Sequence, residues 1–500
     1  MFLLPAFLCG FIGLLAWIVK RFASQQRTYA PGPTGLPLLG NLLQLPKAEP
    51  WIHYARWARS YGDIYRFHVL GREFVVLSSI TAALDLFERR SAIYSDRPMF
   101  VMCSELVGRE DSVLFSQYGL RLREYRRILN ATLGSGVVHC HLNMQREEVH
   151  EFIARLLETP GSLIPAIRRY AGSVVLRIAY GHRVTSDDDL YVQLAEELSQ
   201  ITAAAIQPGR WLVDSLPFLK HVPEWMPGAG FKTWASAARK RSNELIHSPL
   251  REVKQQRAEG IGSPSLVSEY LEKHPEKEDI ISHVASSFYA AGADTTASIL
   301  STFFLMMVMH PDVQERAASE IERVVGKNRL PEFTDRETLP FTDALIKEVY
   351  RFHPVAPLII HSPRKDDTYR QYFIPKGASV IVNVWGILHD EKNFPDPDLF
   401  NPDRFMNALG KDLDPRAIIF GLGRRNCPGK YLGEASIFLA ISTSLATLRV
   451  SKFRDADGKT VEPRVKFTSG HTSQPFPFPY RIEPRTSHAV QLLNQYVPHN

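Results

Sequence analysis

From Asp279 to His310 the chain reads as one uninterrupted helix, apolar on most sides, with no interior proline and with Pro311 as its stop. At the usual rise, such a segment runs roughly 48 Å. A helix that long cannot rest on a surface while it is apolar nearly all round. It must cross the middle of the molecule, and the remaining chain must wrap around it. Within it, Ala291-Gly292-Ala293-Asp294-Thr295-Thr296 interrupts the pattern. Glycine, aspartate and threonine are poor interior helix residues. A lapse in local preference inside a buried helix marks either a functional site or a kink.

The other elements agree with a mainly α body carrying small β-sheets. Trp51–Tyr61 is helical in pattern, and Ile64–Val69 and Glu73–Ser78 are β-rich runs around Leu70-Gly71-Arg72, which reads as a hairpin. Helical spacing dominates from Thr81 to Ser199 and returns at Lys430–Ala446. Strand-like runs reappear at Ala378–Val384 and Thr468–Ile482. Repeats, low-complexity tracts and a second linker are missing from the sequence, so residues 42–500 are expected to form one α+β domain. Asn130-Ala131-Thr132 matches a glycosylation acceptor. It is discounted, because a helix should bury it and the orientation inferred next puts it in the cytosol.

Two segments precede that domain. Phe2–Val19 carries no charge, and Lys20 and Arg21 follow at once. That length is close to the minimum that spans a hydrocarbon core, and the basic pair keeps the carboxyl side cytosolic. Residues 1–21 are therefore expected to be a single-pass anchor. A cleaved signal peptide is the competing reading; a basic leader and an A-x-A-like site are both missing. Residues 22–41 include Pro31-Gly32-Pro33-Thr34-Gly35-Leu36-Pro37-Leu38-Leu39-Gly40-Asn41, too rich in proline and glycine for helix or central strand. An extended hinge is expected there, orienting the body on the membrane.

Charge and cysteine usage exclude several function classes. The formal charge is +6, from 59 basic and 53 acidic residues, with no long run of one sign. Nucleic acid is not expected as a partner, whereas an acidic protein or an anionic membrane suits a mild basic excess. Cys9, Cys103, Cys140 and Cys427 lie far apart without a CxxC pair, which argues against a disulfide framework and a structural zinc site.

Cys427 stands in the most specific motif of the chain. Phe420-Gly421-Leu422-Gly423-Arg424-Arg425-Asn426-Cys427-Pro428-Gly429 matches F-x-x-G-x-R-x-C-x-G at every fixed position. At average residue frequencies, a chain of this length would do so by chance on the order of once in ten thousand. Gly423 and Gly429 would let the backbone pass close to a flat ligand and turn sharply. The helix expected from Lys430 would point its positive end at the sulfur. Further pieces are Glu348-Val349-Tyr350-Arg351, where i and i+3 share a helix face, Pro402-Asp403-Arg404-Phe405, and Leu122-Arg123 within Tyr118–Arg127.

In this order, these motifs resemble the cytochrome P450 superfamily over nearly the whole chain. Phe467-Thr468-Ser469-Gly470-His471 and the basic cysteine loop resemble its fungal microsomal members. The resemblance implies haem b, with Cys427 as axial thiolate ligand of the iron and Phe420, Gly423 and Gly429 shaping the loop. It implies Arg425 and Arg123 on the haem propionates, and a structural network of Glu348, Arg351 and Arg404. Asp294 and Thr295 would deliver protons during oxygen activation, with the helix opening locally between its turns. Leu122 stands where relatives have tryptophan, and Ser362 where many have a histidine near a propionate. The implied reaction inserts one atom of O2 into a hydrophobic small molecule: a terpenoid, a polyketide or a polycyclic aromatic, in secondary metabolism or xenobiotic oxidation. A flavin or nicotinamide motif is missing from the sequence, so electrons would come from NADPH through a separate cytochrome P450 reductase, with cytochrome b5 a further candidate donor. The catalytic domain would face the cytosol from the endoplasmic reticulum membrane. A haem-thiolate isomerase and a non-catalytic haem or lipid carrier stand as alternatives, and the intact Asp294-Thr295 pair argues against the first.

Overall fold

The structure, a computed structural model, describes residues 27–186, 188–207, 209–406 and 413–496. The expected anchor at residues 1–21 lies outside the described residues, as does the start of the hinge.

Ten helices carry the argument: α1 (Pro50–Tyr61), α2 (Leu120–Leu133), α3 (Leu142–Glu158), α4 (Leu163–Tyr180), α5 (Leu190–Ala205), α6 (Gly230–Ala258), α7 (Glu278–Met309), α8 (Pro311–Val325), α9 (Pro340–Phe352) and α10 (Lys430–Thr447). The strands are β1 (Ile64–Val69), β2 (Arg72–Leu77), β3 (Leu358–His361), β4 (Asp367–Tyr369), β5 (Tyr372–Ile374), β6 (Ser379–Asn383), β7 (Leu448–Ser451) and β8 (Arg481–Pro484).

As the sequence predicts, α7 is the central post. Its 32 residues pack against α4, α5, α6, α9 and α10. By length and apolarity Pro275–Met309 could cross a membrane, but Ile281–Ser286 and Leu300–Val308 are buried inside the protein. That makes α7 a core helix. The expected local opening is not found: α7 is continuous through Gly292. A Cβ on Gly292 would stand 2.8 Å from Cγ2 of Val175 on α4, so this glycine serves the close approach of α4 to α7.

The main sheet has the order β1-β2-β6-β3. Strands β1 and β2 are antiparallel, with Val69 opposite Arg72, so the connecting turn is the two residues Leu70-Gly71. Both have positive φ, 48° and 81°, which suits the twist of the flanking strands. Strand β6 runs parallel to β2 and antiparallel to β3. Strands β4 and β5 form one small ladder, and β7 and β8 another.

Three expectations change. The expected strand Thr468–Ile482 is mostly irregular, and only Arg481–Pro484 forms a strand. Pro475, Pro477 and Pro479 remove every second backbone donor there, so no ladder can run through them. Segment 31–41 is docked, not free, and its end folds back in a tight turn, Leu36 N donating to Gly40 O and Gly40 N to Leu36 O, both at 2.8 Å. Arg66 N donates to Pro31 O at 2.8 Å and Asn41 N to His68 O at 2.7 Å, so the segment covers the open edge of β1. Asn130, expected to be buried, is exposed on α2, because the helical period that buries Leu129 and Leu133 turns it outward.

Candidate active site

The loop before α10 is shaped by its glycines. Gly423 has φ +58°, and a Cβ there would lie 2.0 Å from Phe87 O, so no other residue fits without moving the backbone. Cys427 N donates to Phe420 O at 2.6 Å, closing the loop. Cys427 Sγ lies 3.9 Å from where a Gly429 Cβ would stand, and the Gly429 N–H donates to it. Burial raises the Cys427 pKa, opposed by that N–H, Arg126 and Lys430. The side chain nevertheless keeps accessible surface. Both facts hold if the sulfur opens onto an internal space rather than bulk water.

A second feature of that interior is α7. Between its two buried stretches, Ala291–Thr296 retains accessible surface. Thr295 Oγ1 donates to Ala291 O at 2.8 Å. Asp294 receives a hydrogen bond from the Ser199 hydroxyl of α5. Burial raises the Asp294 pKa, with Ser199 and Arg168 pulling it down and Glu196 pushing it up.

Beside the cysteine loop lies an unbalanced group of cations. Arg425 is buried and donates from Nε to Ser95 O at 2.7 Å and from Nη2 to Ser116 O. Burial and neighbouring Arg97 push its pKa down to about 9. Arg97 donates to Leu114 O and Ile360 O, and burial lowers it to about 10. His361 stacks on Phe87 at 3.9 Å with Nδ1 2.9 Å from Tyr94 O, and burial with both arginines holds its pKa well down. Among the described residues, the carboxylate acting on Arg425 is Asp96, which also contacts Arg364 and the Tyr118 N–H. Buried guanidinium groups that repel one another are costly unless anions neutralise them.

Helix α2 brings Arg126 to this place, not Arg123. Arg126 Nη1 donates to Asn426 O at 2.8 Å, and Nη2 contacts Asn426 Oδ1. Arg123 is exposed on the other face. Leu122, Tyr125 and Leu129 enter the core, and Arg126 lies one turn after Leu122 on that side. Helical periodicity alone could have found it. Arg97 and His361 were missed for another reason: they come from segments far away in the chain. Ser362 uses its backbone, Ser362 N donating to Asp96 O at 2.8 Å, so His361, one residue earlier, is the imidazole beside the arginines.

A third group is a buried ion network of Glu348, Arg351 and Arg404. Arg351 donates to Glu348 from Nε at 2.7 Å and Nη2 at 2.9 Å, and Arg404 Nε lies 3.1 Å from Glu348 Oε2. Glu348 and Arg351 are fully buried. Leu388 O, Leu399 O, Pro395 O and Asn401 N complete their bonding, so no charge in the triad is left bare.

A thiol at a helix N-terminus, buried cations with few anions, and an acid and an alcohol in a central helix are the groups that an oxidative haem-thiolate class of site would use. The comparisons agree. The family model "Cytochrome P450" matches residues 30–475. Cytochrome P450 monooxygenase 208 of Postia placenta is 41% identical over 488 residues, covering 96% of this chain and 95% of that protein. Cytochrome P450 monooxygenase claR of Ampulloclitocybe clavipes is 37% identical, covering 95% and 90%. Cytochrome P450 monooxygenase COX1 of Coprinopsis cinerea is 37% identical, covering 96% and 97%. The chain belongs to the cytochrome P450 family, and is an oxygen-incorporating oxidoreductase.

That family binds haem b through a cysteine thiolate, and the residues here fit it. Haem brings two carboxylates to a region where Arg97, Arg126 and Arg425 meet too few anions, and an iron to a sulfur already supplied with an N–H and a helix N-terminus.

Proposed function

We propose that this chain is a fungal microsomal-type monooxygenase that inserts one oxygen atom into a hydrophobic small molecule, with Cys427 as the iron ligand. The observation that carries the reading is the Cys427 sulfur, enclosed yet accessible, facing the Gly429 N–H at the start of α10. Bound haem supplies the activation of dioxygen, one atom going to substrate and the other leaving as water.

The protein's own groups do the rest. Arg97, Arg126, Arg425 and His361 would hold the carboxylates of the cofactor by charge-assisted hydrogen bonds. Phe420, Gly423 and Gly429 set the loop that presents Cys427 Sγ. Thr295 Oγ1 and the Asp294 carboxyl, both on α7, would hold and pass protons. Glu348, Arg351 and Arg404 lock α9 against the segment leading to the cysteine loop.

The substrate class is a terpenoid, polyketide or polycyclic aromatic. The apolar cluster of Val101, Met102, Val107 and Phe115, on the stretch whose Val113 and Ser116 carbonyls accept from Arg425, supports it. Electrons reach the haem from NADPH through a separate reductase. Exposed Arg424 and half-buried Lys430 flank the cysteine loop, next to a groove lined by Val138, Leu142, Phe420 and Tyr431, and suit an acidic partner. Residues 1–21 anchor the chain in the endoplasmic reticulum membrane with the catalytic body cytosolic.

The test is the reduced carbon monoxide complex of the purified full chain. Thiolate ligation gives a red-shifted Soret band, and Cys427→Ser should abolish it. Survival of that band in the variant would assign the ligand to another residue.

A further inference from the structure

Asp294 does not face Thr295 through a hydrogen bond. Thr295 is tied to Ala291 O, while the Asp294 carboxylate is held by the Ser199 hydroxyl across the α5–α7 contact. The acid is thus anchored toward α5. One helical turn before Ser199, on the same face of α5, stands Glu196. It pairs with Arg168 of α4 at 2.9 Å, and both side chains reach solvent, 32% and 41% exposed. Both also act electrostatically on Asp294. A water-accessible ion pair, an alcohol and a half-buried acid therefore lie in sequence from the surface to the middle of α7.

Resting on the monooxygenase reading above, we propose that Ser199 is the positioning residue for Asp294, and that protons from water at the Arg168–Glu196 pair reach Asp294 through the Ser199 hydroxyl. In each transfer Glu196 takes a proton from solvent water and passes it to Ser199 Oγ as Ser199 Oγ gives its own to Asp294 Oδ2, so the alcohol and the Glu196 carboxylate are both regenerated. Asp294 then gives that proton to Thr295 Oγ1, which releases its own to the reacting side. No electrons move in these steps. A side-chain rotation of Asp294 between Ser199 and Thr295 completes the relay.

The test uses the full-length haem-loaded chain with its reductase in phosphatidylcholine vesicles, without substrate. Dioxygen is then reduced either to hydrogen peroxide, with two electrons and two protons, or to two waters, with four of each. The ratio of NADPH to O2 consumed reads the partition. Ser199→Ala should move it toward peroxide and raise the solvent deuterium isotope effect on NADPH consumption by roughly twofold. Ser199→Thr, which keeps the hydroxyl, should restore both values. Glu196→Gln should shift them in the same direction as Ser199→Ala.

A second readout does not depend on turnover. The protonated carboxyl band of Asp294 is identified in infrared spectra by its loss in Asp294→Asn. Ser199→Ala should raise its titration midpoint by about one unit, because a hydrogen bond to the charged form is lost. An unchanged midpoint and an unchanged NADPH-to-O2 ratio in Ser199→Ala would overturn the proposal. A response to Ser199→Ala with none to Glu196→Gln would overturn the entry route. A wild-type chain lacking the red-shifted carbon monoxide band would instead defeat the underlying monooxygenase reading.

Discussion

Arg126 of α2 donates to the carbonyl of Asn426, the residue immediately before Cys427, at 2.8 Å. One contact thus couples a helix near the middle of the N-terminal half to the loop carrying the thiol, and places a guanidinium beside the sulfur.

Arg126→Ala should accelerate haem loss to an apo-acceptor protein strongly, because a charge-assisted bond worth roughly 1.5–3 kcal/mol disappears. Arg123→Ala should leave the transfer rate near wild type, since Arg123 is on the exposed face. Leu122→Trp should hasten loss and lower stability by about 1–3 kcal/mol, because Leu122 is 1% exposed within the main core and the larger ring overpacks it. Stopped-flow haem transfer ranks the three.

Thr295→Ala should retain haem and consume NADPH, yet release more peroxide and less product, because the hydroxyl on the reacting side is gone. Peroxide assay beside NADPH oxidation measures the coupling. Unchanged coupling removes Thr295 from the proton path.

Glu348→Gln should destabilise the fold by about 3–5 kcal/mol, because two guanidinium groups lose their buried counter-charge. Urea unfolding of the haem-loaded protein, followed by α-helical circular dichroism, reports the loss. A change under 1 kcal/mol would mean that the backbone carbonyls alone hold the arginines.

Stability should fall with acid in a defined window. His353 stacks on Phe467 at 3.4 Å, lies 2.7 Å from Ser473 Oγ, and burial lowers its pKa to about 3. Its unfolded-state pKa is about 6.5. Below that value the unfolded chain binds a proton that the native chain refuses, so this contribution is present above pH 6.5 and is lost as pH drops toward 3. His389 behaves alike, also lowered to about 3. Proton uptake on unfolding at pH 5 should drop by about one in His353→Phe. Denaturation at a series of pH values gives that number.

Removing Met1–Arg21 should leave a folded haem protein that partitions less into vesicles, because none of the site groups lies in that segment. Flotation with and without the segment measures the difference. Failure to fold would make it part of the body.

Much was legible without coordinates wherever the chemistry is contiguous in the chain. The length and apolarity of 279–310 dictated a central helix, and the spacing in Phe420–Gly429 dictated a tight loop with its thiol at a helix start. Glu348 and Arg351 pair because i and i+3 share a helix face. Each of these depends on local geometry, which sequence periodicity encodes directly. The tertiary structure decided what depends on which faces meet. The burial of Leu122, Tyr125 and Leu129 sets the rotation of α2 and selects Arg126 over Arg123. Packing of α4 against α7, rather than a helix break, explains Gly292. Arg97, His361 and Ser199 join the site across long chain separations, and no local pattern records such encounters. Only the packed core brings those segments together, because burial of apolar faces, not the polar residues they carry, chooses which elements become neighbours.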